Sequence, residues 1–188
     1  TAMTEPHEAS ADVAYADVAE LRRRLADGSL TSEALVRGLL DRISAIDAAD
    51  SAIALRSILA VSQDAIADAR RRDKERELVY ALREIRKAID DYKDAALAGK
   101  IEVKLGTEGY PETLDQLVEG VKLLQDAQGK KIKFLRRIPV DPMTNMRDWG
   151  MRSMQDDPKA MSWGRQNVFD VYTKSLDRAR DGTPYAEW

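Results

Sequence analysis

Apolar residues recur with helical spacing through the first half of the chain and break into short, punctuated runs in the second. Val18, Leu21 and Leu25 share one face of a predicted helix that Gly28 interrupts. Thr31 or Ser32 can cap a second helix, in which Leu35, Leu39, Ile43 and Ile46 form one apolar stripe facing a partner. Together they predict a helical hairpin between about Asp12 and Asp50. Ser62 then caps a third helix, because the chain runs from there to Gly99 without a proline or an internal glycine. Such a helix spans about 35 residues, or roughly 50 Å. Its middle, "RRRDKERE" (Arg70 to Glu77), is charged at every position, so it buries little and is expected to bridge two packed regions. Beyond it Leu78, Leu82, Ile85, Ile89, Tyr92 and Ala96 restore a stripe too short for a coiled-coil seam, which reads as a core face.

After Gly99 the period changes. Gly106 and Gly109 precede a Tyr110-Pro111 turn, and Thr113 can cap a short amphipathic helix with Leu114, Leu117 and Val118 inward. Three β candidates follow: Ile132 to Ile138, Asp148 to Met154 and Val168 to Lys174. In the last, Val168, Asp170 and Tyr172 would face one way and Phe169 and Val171 the other. Pro139 and Pro142 bracket Asp141 in "FLRRIPVDPMTN"; each proline lacks a backbone donor, so the first strand must end there. The expected fold class is α+β: a helical hairpin leading into one long helix that packs on a small antiparallel meander.

Composition removes several kinds of chemistry. Thirty Lys+Arg against 33 Asp+Glu leave a formal charge of −3, which offers no broad basic field to nucleic acid. Arg136 and Arg137 beside Phe134 fit an exposed basic edge better than a base-stacking face. With no cysteine and a single histidine, His7, the chain lacks parts required for thiol nucleophiles, Cys/His zinc sites and Ser-His-Asp triads. Any metal would have to be a hard, oxygen-liganded cation. The longest apolar run, Ser51 to Val61, contains Arg56 and falls well short of the roughly 20 residues of a spanning helix. The first 20 residues are acidic and lack the apolar core of a signal peptide. As written, the chain is expected to be soluble, with no membrane insertion.

The order of the pieces resembles a family. "ALREIRKAIDDY", then "GYPETLDQL", then "FLRRIPVDP", then "DVYTKS" before a glycine-containing loop are similar to the soluble domain of a type II secretion major (G-type) pseudopilin, a relative of type IV pilins; the likeness covers about residues 74–188. It implies a pilin-like fold and a structural filament subunit, not an enzyme. It also implies other pseudopilin subunits and inner-membrane secretion components as partners, and a native place at the inner membrane and periplasm of a Gram-negative bacterium. Leu78, Leu82, Ile85 and Ile89 would then belong to the face used in assembly. The family's apolar N-terminal half-helix and its prepilin peptidase site have no counterpart in this sequence.

In their place, Tyr15 to Asp73 resembles the N-terminal helical segment of an amidase-signature enzyme. The catalytic lysine after a "GIP" segment and the two serines of that family are missing, so no amidase activity is expected. The resulting expectation is an engineered chimera, with residues 1–73 as a helical fusion partner replacing the membrane helix and 74–188 as the pseudopilin globular domain. A natural fusion acting as a non-enzymatic protein-binding module is the alternative.

Major pseudopilins often hold calcium in the last loop, here "SLDRARDGTPYAEW". The resemblance makes Asp177, Asp181, Ser175 and the Leu176 carbonyl the calcium candidates, with Arg178 and Arg180 counting against them. Asp156 and Asp157 before Pro158 read as a solvated turn, and Glu33, Asp41, Asp90 and Asp91 as solvated helix faces. Trp149, Trp163 and Trp188 read as core or lid residues against the long helix.

Overall fold

The computed structural model describes residues 13, 15–47, 58, 60–125 and 129–188; His7 and most of the apolar run Ser51 to Val61 lie outside them. The chain divides after Arg76 into two compact units. It contains helices α1 (Val18–Asp27), α2 (Ser32–Arg42, followed by a π turn over Ile43–Asp47), α3 (Ala65–Leu97) and α4 (Leu114–Glu119). Four short strands complete it, β1 (Val121–Lys122), β2 (Lys131–Ile132), β3 (Gly150–Arg152) and β4 (Asp170–Tyr172), with a 3-10 turn at Tyr185–Glu187.

In the N-terminal unit, Asp17 caps α1 by accepting from the Glu20 amide at 2.8 Å, and Gly28 ends it at φ +80°, a backbone state that glycine adopts without cost. Thr31 caps α2 by accepting from the Ala34 amide. The next two free amides of α2, those of Ser32 and Glu33, donate to the carboxylate of Asp73 at 2.8 and 3.0 Å. A helix start leaves such donors unpaired and favours negative charge, so one aspartate on α3 satisfies both requirements. Arg76 donates to the Leu25 carbonyl near the other end of α1, and Glu33 bridges Arg37 and Arg70 at 2.8 and 2.9 Å. The charged segment is therefore more than a solvated spacer, because Arg70, Asp73 and Arg76 hold the ends of the hairpin helices. The apolar stripes are less covered than their spacing predicts: Val18 is 73% exposed at the first position of α1, and Leu39 is also exposed.

Arg70 and Arg37 hold the Glu33 carboxyl at about 2, below its ordinary 4.5. A depressed carboxylate contributes stability that is complete above the unfolded value and is lost as pH falls towards the folded one. Helicity of the N-terminal unit should accordingly fall between about pH 4.5 and 2. Glu33→Gln should flatten that part of the acid transition, read as circular dichroism at 222 nm against pH. The group is partly exposed, so the effect should shrink in high salt.

In the C-terminal unit the core is built on the second stripe of α3. Leu78, Leu82, Ile85, Ile89 and Tyr92 are buried together with Ile101, Leu114, Leu117, Leu135, Trp149, Val168, Val171 and Tyr185. Ala81, Ala88 and Ala95 fill the gaps, which lets the helix approach its neighbours closely. In α4, Leu114 and Leu117 point inward as expected. Thr113 occupies the cap position without a side-chain bond, and the Gln116 side chain accepts from the Glu112 amide instead.

The fold is α+β, with the long helix packed on small antiparallel sheets, but the expected three-stranded meander is replaced by two separate pairs. β1 pairs with β2, matching Val121 to Ile132 and Lys122 to Lys131, and β3 pairs with β4 over Gly150–Tyr172, Met151–Val171 and Arg152–Asp170. Only Ile132 of the expected Ile132 to Ile138 strand enters a ladder. The amides of Phe134 and Leu135 both turn to the Leu117 carbonyl at the end of α4, each at 2.9 Å, and Leu135 enters the core. β4 begins only at Asp170, because Val168 donates to Pro111 and the strict in-out alternation lapses: Val171, Tyr172 and Thr173 are all buried. Gly150 has a direct steric reason, since a Cβ there would lie 2.2 Å from the ring of Tyr172 across the ladder.

Candidate functional site

Chemistry-bearing side chains of the C-terminal unit gather in three places, two of them interior. The first is centred on Asp141. The backbone between Pro139 and Pro142 folds into a turn in which the Asp141 and Met146 backbones pair. The fully buried Asp141 carboxylate accepts from the Met143 amide at 2.9 Å, the Thr144 hydroxyl at 3.1 Å and the Thr173 hydroxyl at 2.5 Å. A buried carboxylate requires such donors. The two prolines fix the backbone around it, and the Pro139 carbonyl accepts from the Trp149 indole at 3.0 Å. Thr173 also accepts from the Ser175 amide, so one hydroxyl joins the turn to the strand that follows β4.

Thr173→Val keeps the shape, removes the donor to Asp141 and leaves the Ser175 amide without its acceptor. It should cost about 1–3 kcal/mol in urea unfolding, while Thr173→Ser should stay close to the parent.

The second place is the ion cluster around Asp170. Arg86 on α3 donates to its carboxylate at 2.7 Å, to the Val171 carbonyl at 3.2 Å and to the Trp188 carbonyl at 2.8 Å. Arg152 on β3 reaches the other carboxylate oxygen at 3.4 Å and the carbonyls of Ala160 and Ala186 at 2.8 and 3.2 Å. Its guanidinium lies over the Tyr172 ring at 4.1 Å. Two planar donors thus fasten helix, strands and the last turn to one carboxylate.

The third is the last loop. Ser175 accepts from the Asp177 amide, and the Asp177 carbonyl accepts from the Tyr185 amide. The Asp181 carboxylate accepts from the Thr183 amide at 2.9 Å, and the Thr183 amide and hydroxyl hold its carboxyl below the usual range. Arg178 donates to the Gly182 carbonyl at 2.9 Å, and Leu176 is exposed. Of the four calcium candidates, Ser175, Asp177 and Asp181 all take part in closing the loop on itself. Among the described residues no three His, Cys, Asp or Glu side chains are grouped as a metal cluster.

The remaining candidates fall into place individually. Leu78, Leu82, Ile85 and Ile89 face the interior of their own unit and leave no area for an assembly contact; the outward face of the same helix carries Tyr80, Arg83, Lys87, Asp91 and Asp94. The expected assembly residues are thus core residues, because the sheets and the C-terminal turn cover them. Asp156 accepts from the Ser153 and Gly164 amides, which hold its carboxyl below the usual range, and Asp157 accepts from the Lys159 amide. Trp149 is in the core, while Trp163 and Trp188 pack against it partly exposed. Arg136 and Arg137 are exposed. An open cavity, bordered by Tyr92, Tyr110 and a group of lysines, lies beside α4 and β1. Among the described residues no helix is long and apolar enough to cross a membrane.

Comparison with protein-family models, curated proteins and solved structures finds no match to this chain.

Proposed function

We propose that residues 77–188 are the globular part of a secretion pseudopilin, a subunit that works by building a filament and not by catalysis. The observation that carries this reading is the helix stripe from Leu78 to Tyr92 buried under two small antiparallel sheets and a C-terminal turn. That packing is what the motif order "ALREIRKAIDDY", "GYPETLDQL", "FLRRIPVDP" and "DVYTKS" implies through its likeness to the family. Two acids, one buried and one half-buried, support the same reading. Asp141 and Asp170 are spent on turns and on the closure of the last segment, which gives a rigid body suited to repeated packing. The native setting would be the inner membrane and periplasm, with other pseudopilins and the inner-membrane secretion machinery as partners. The amidase-like helices of residues 15–73 would be a fusion partner standing where the membrane helix of such a subunit belongs.

The test places residues 77–188 behind an apolar pilin-type membrane helix, in a Gram-negative host whose own major pseudopilin is deleted. Sheared surface filaments containing the chain are expected. The reading fails if the fusion stays unassembled in the membrane while the host subunit, restored from the same vector, makes filaments.

A further inference from the structure

The segment Val121 to Arg137 holds six basic residues against a single acid, Asp126, in a chain whose formal charge is −3. The pairing of β1 with β2 brings Lys122, Lys130, Lys131 and Lys133 side by side. A third antiparallel segment adds Lys100, because Ile101 bridges Leu123 and the Lys100 carbonyl accepts from the Leu124 amide at 2.9 Å. Strand alternation then sorts the side chains. Ile101, Val121, Leu123 and Ile132 turn in on the core, which leaves Lys100, Lys122, Leu124, Lys131 and Lys133 on the outer face, with Glu102 as its acid. Among the described residues none of these lysines, nor Lys130, Arg136 or Arg137, has a carboxylate within ion-pair distance, whereas Lys87, Lys104, Lys159 and Lys174 of the same unit are each paired. Lys122 and Lys131 stand directly opposite each other, and an anionic surface laid over them would remove their repulsion.

This face is not wholly polar. Leu124 is 60% exposed among the lysines, and Leu97, in the last turn of α3 that the Lys100 amide closes on the Ala95 carbonyl, is 73% exposed. Leucines standing clear among lysines suit a bilayer surface, where ammonium groups meet lipid phosphates and the apolar tips enter the boundary of the acyl chains. A single-stranded nucleic acid needs aromatic platforms, and Phe134, the aromatic of the segment, is already packed on Tyr92 with ring centroids 5.3 Å apart. A membrane demands no concave fit, only several cations within a Debye length of its surface. We propose that this face docks on a membrane surface containing anionic phospholipid, with the lysines at the phosphates and Leu124 and Leu97 in the headgroup boundary, without spanning the bilayer. It needs only the folded C-terminal unit, so its failure and that of the filament reading are seen in separate experiments.

The test sediments the full chain with vesicles of phosphatidylcholine containing about 30% phosphatidylglycerol, and with pure phosphatidylcholine vesicles beside them. Each lysine near an anionic surface contributes about a five-fold gain in partitioning, so the anionic vesicles should bind at least about ten-fold better than the neutral ones, and less as salt rises. Lys130→Glu combined with Lys131→Glu should lower that binding by about ten-fold or more. The Tm should stay at or above the parent value, because both side chains are exposed and Lys131→Glu faces Lys122, so lost binding is told from lost folding. The chain has no cysteine, so Leu124→Cys carries a single environment-sensitive label, whose emission should shift to the blue on anionic vesicles. The same label at Tyr80→Cys, on the outward face of α3, should not respond, which separates docking through this face from adsorption through the arginines of the N-terminal unit. The proposal is overturned if neutral vesicles bind equally well, if the double reversal keeps its affinity, or if the Leu124→Cys label stays unchanged on vesicles that sediment the chain. It is also overturned if poly-glutamate at the same concentration of anionic groups strips the chain from the vesicles, which would mark an acidic protein as the partner.

Discussion

Trp149→Ala should remove about 3–5 kcal/mol from the C-terminal unit, enough to bring a domain of ordinary stability close to its unfolding threshold at 25 °C. Trp149 is 1% exposed, packs in the cluster built on α3 and donates its indole N–H to the Pro139 carbonyl at 3.0 Å. Truncation to alanine therefore opens a large cavity and also leaves the Pro139 carbonyl, in the turn that positions Asp141, without its donor. Trp149→Phe separates the two effects. It keeps much of the apolar volume, loses the hydrogen bond and should cost about 1–2 kcal/mol. Urea unfolding followed by circular dichroism measures both variants without relying on the fluorophore being removed. A cost below about 1 kcal/mol for the alanine variant would mean that the region between Pro139 and Trp149 collapses freely, against the packing described.

How much of this was legible in the sequence depends on the range of the signal. The helices were, because a 3.6-residue period is a local property: α3 ends at Leu97, as the break at Gly99 requires, and Thr31 caps α2 through its own hydroxyl. The strands were legible only in part: β3 and β4 lie inside the expected runs Asp148 to Met154 and Val168 to Lys174 and pair antiparallel, but the first run failed. Phe134 to Ile138 has the composition of a strand, yet its first two amides find the Leu117 carbonyl, a partner that no local pattern identifies. β1 escaped notice because two residues, Val121 and Lys122, carry no periodicity. The burial of Leu78, Leu82, Ile85 and Ile89 follows from their spacing, but which surface covers them is a tertiary fact, and that cover makes them core residues where an assembly contact was expected.

The polar interior was legible only in part. Asp141 between two prolines, with Thr144 three residues on, carries the signature of an aspartate that caps its own turn; its bond to Thr173, 32 residues away in the chain, leaves no trace in the sequence. Arg86, Arg152 and Asp170 likewise sit in segments that read as an amphipathic helix and two plain strands. In Val168 to Tyr172 the alternation places Asp170 on the same side as Val168 and Tyr172, and that misplaced charge was the one available clue.

Asp170→Ala should be the most damaging single change among the charged residues of the C-terminal unit. The Arg152 side chain is 6% exposed and the Asp170 side chain 26%, so the substitution leaves a guanidinium in the interior with carbonyl partners but no counter-charge. Breaking a buried pair from one side costs about 3–5 kcal/mol; the partial exposure of Asp170 and Arg86 places the expected value near the lower end. Arg152→Met should cost less, because Asp170 keeps its bond to Arg86 at 2.7 Å and the replacement fills apolar space beside Tyr172. The double variant Asp170→Ala with Arg152→Met removes the stranded charge, so it should be more stable than Asp170→Ala alone, with a coupling of about 1–3 kcal/mol in a thermodynamic cycle. Independent, additive losses would instead show that water already screens the cluster. Because Arg86 also holds the Trp188 carbonyl and Arg152 the Ala186 carbonyl, the same variants should loosen the last turn before the core melts. Faster amide exchange at Glu187 and Trp188, under conditions where the α3 amides stay protected, would report that loosening directly.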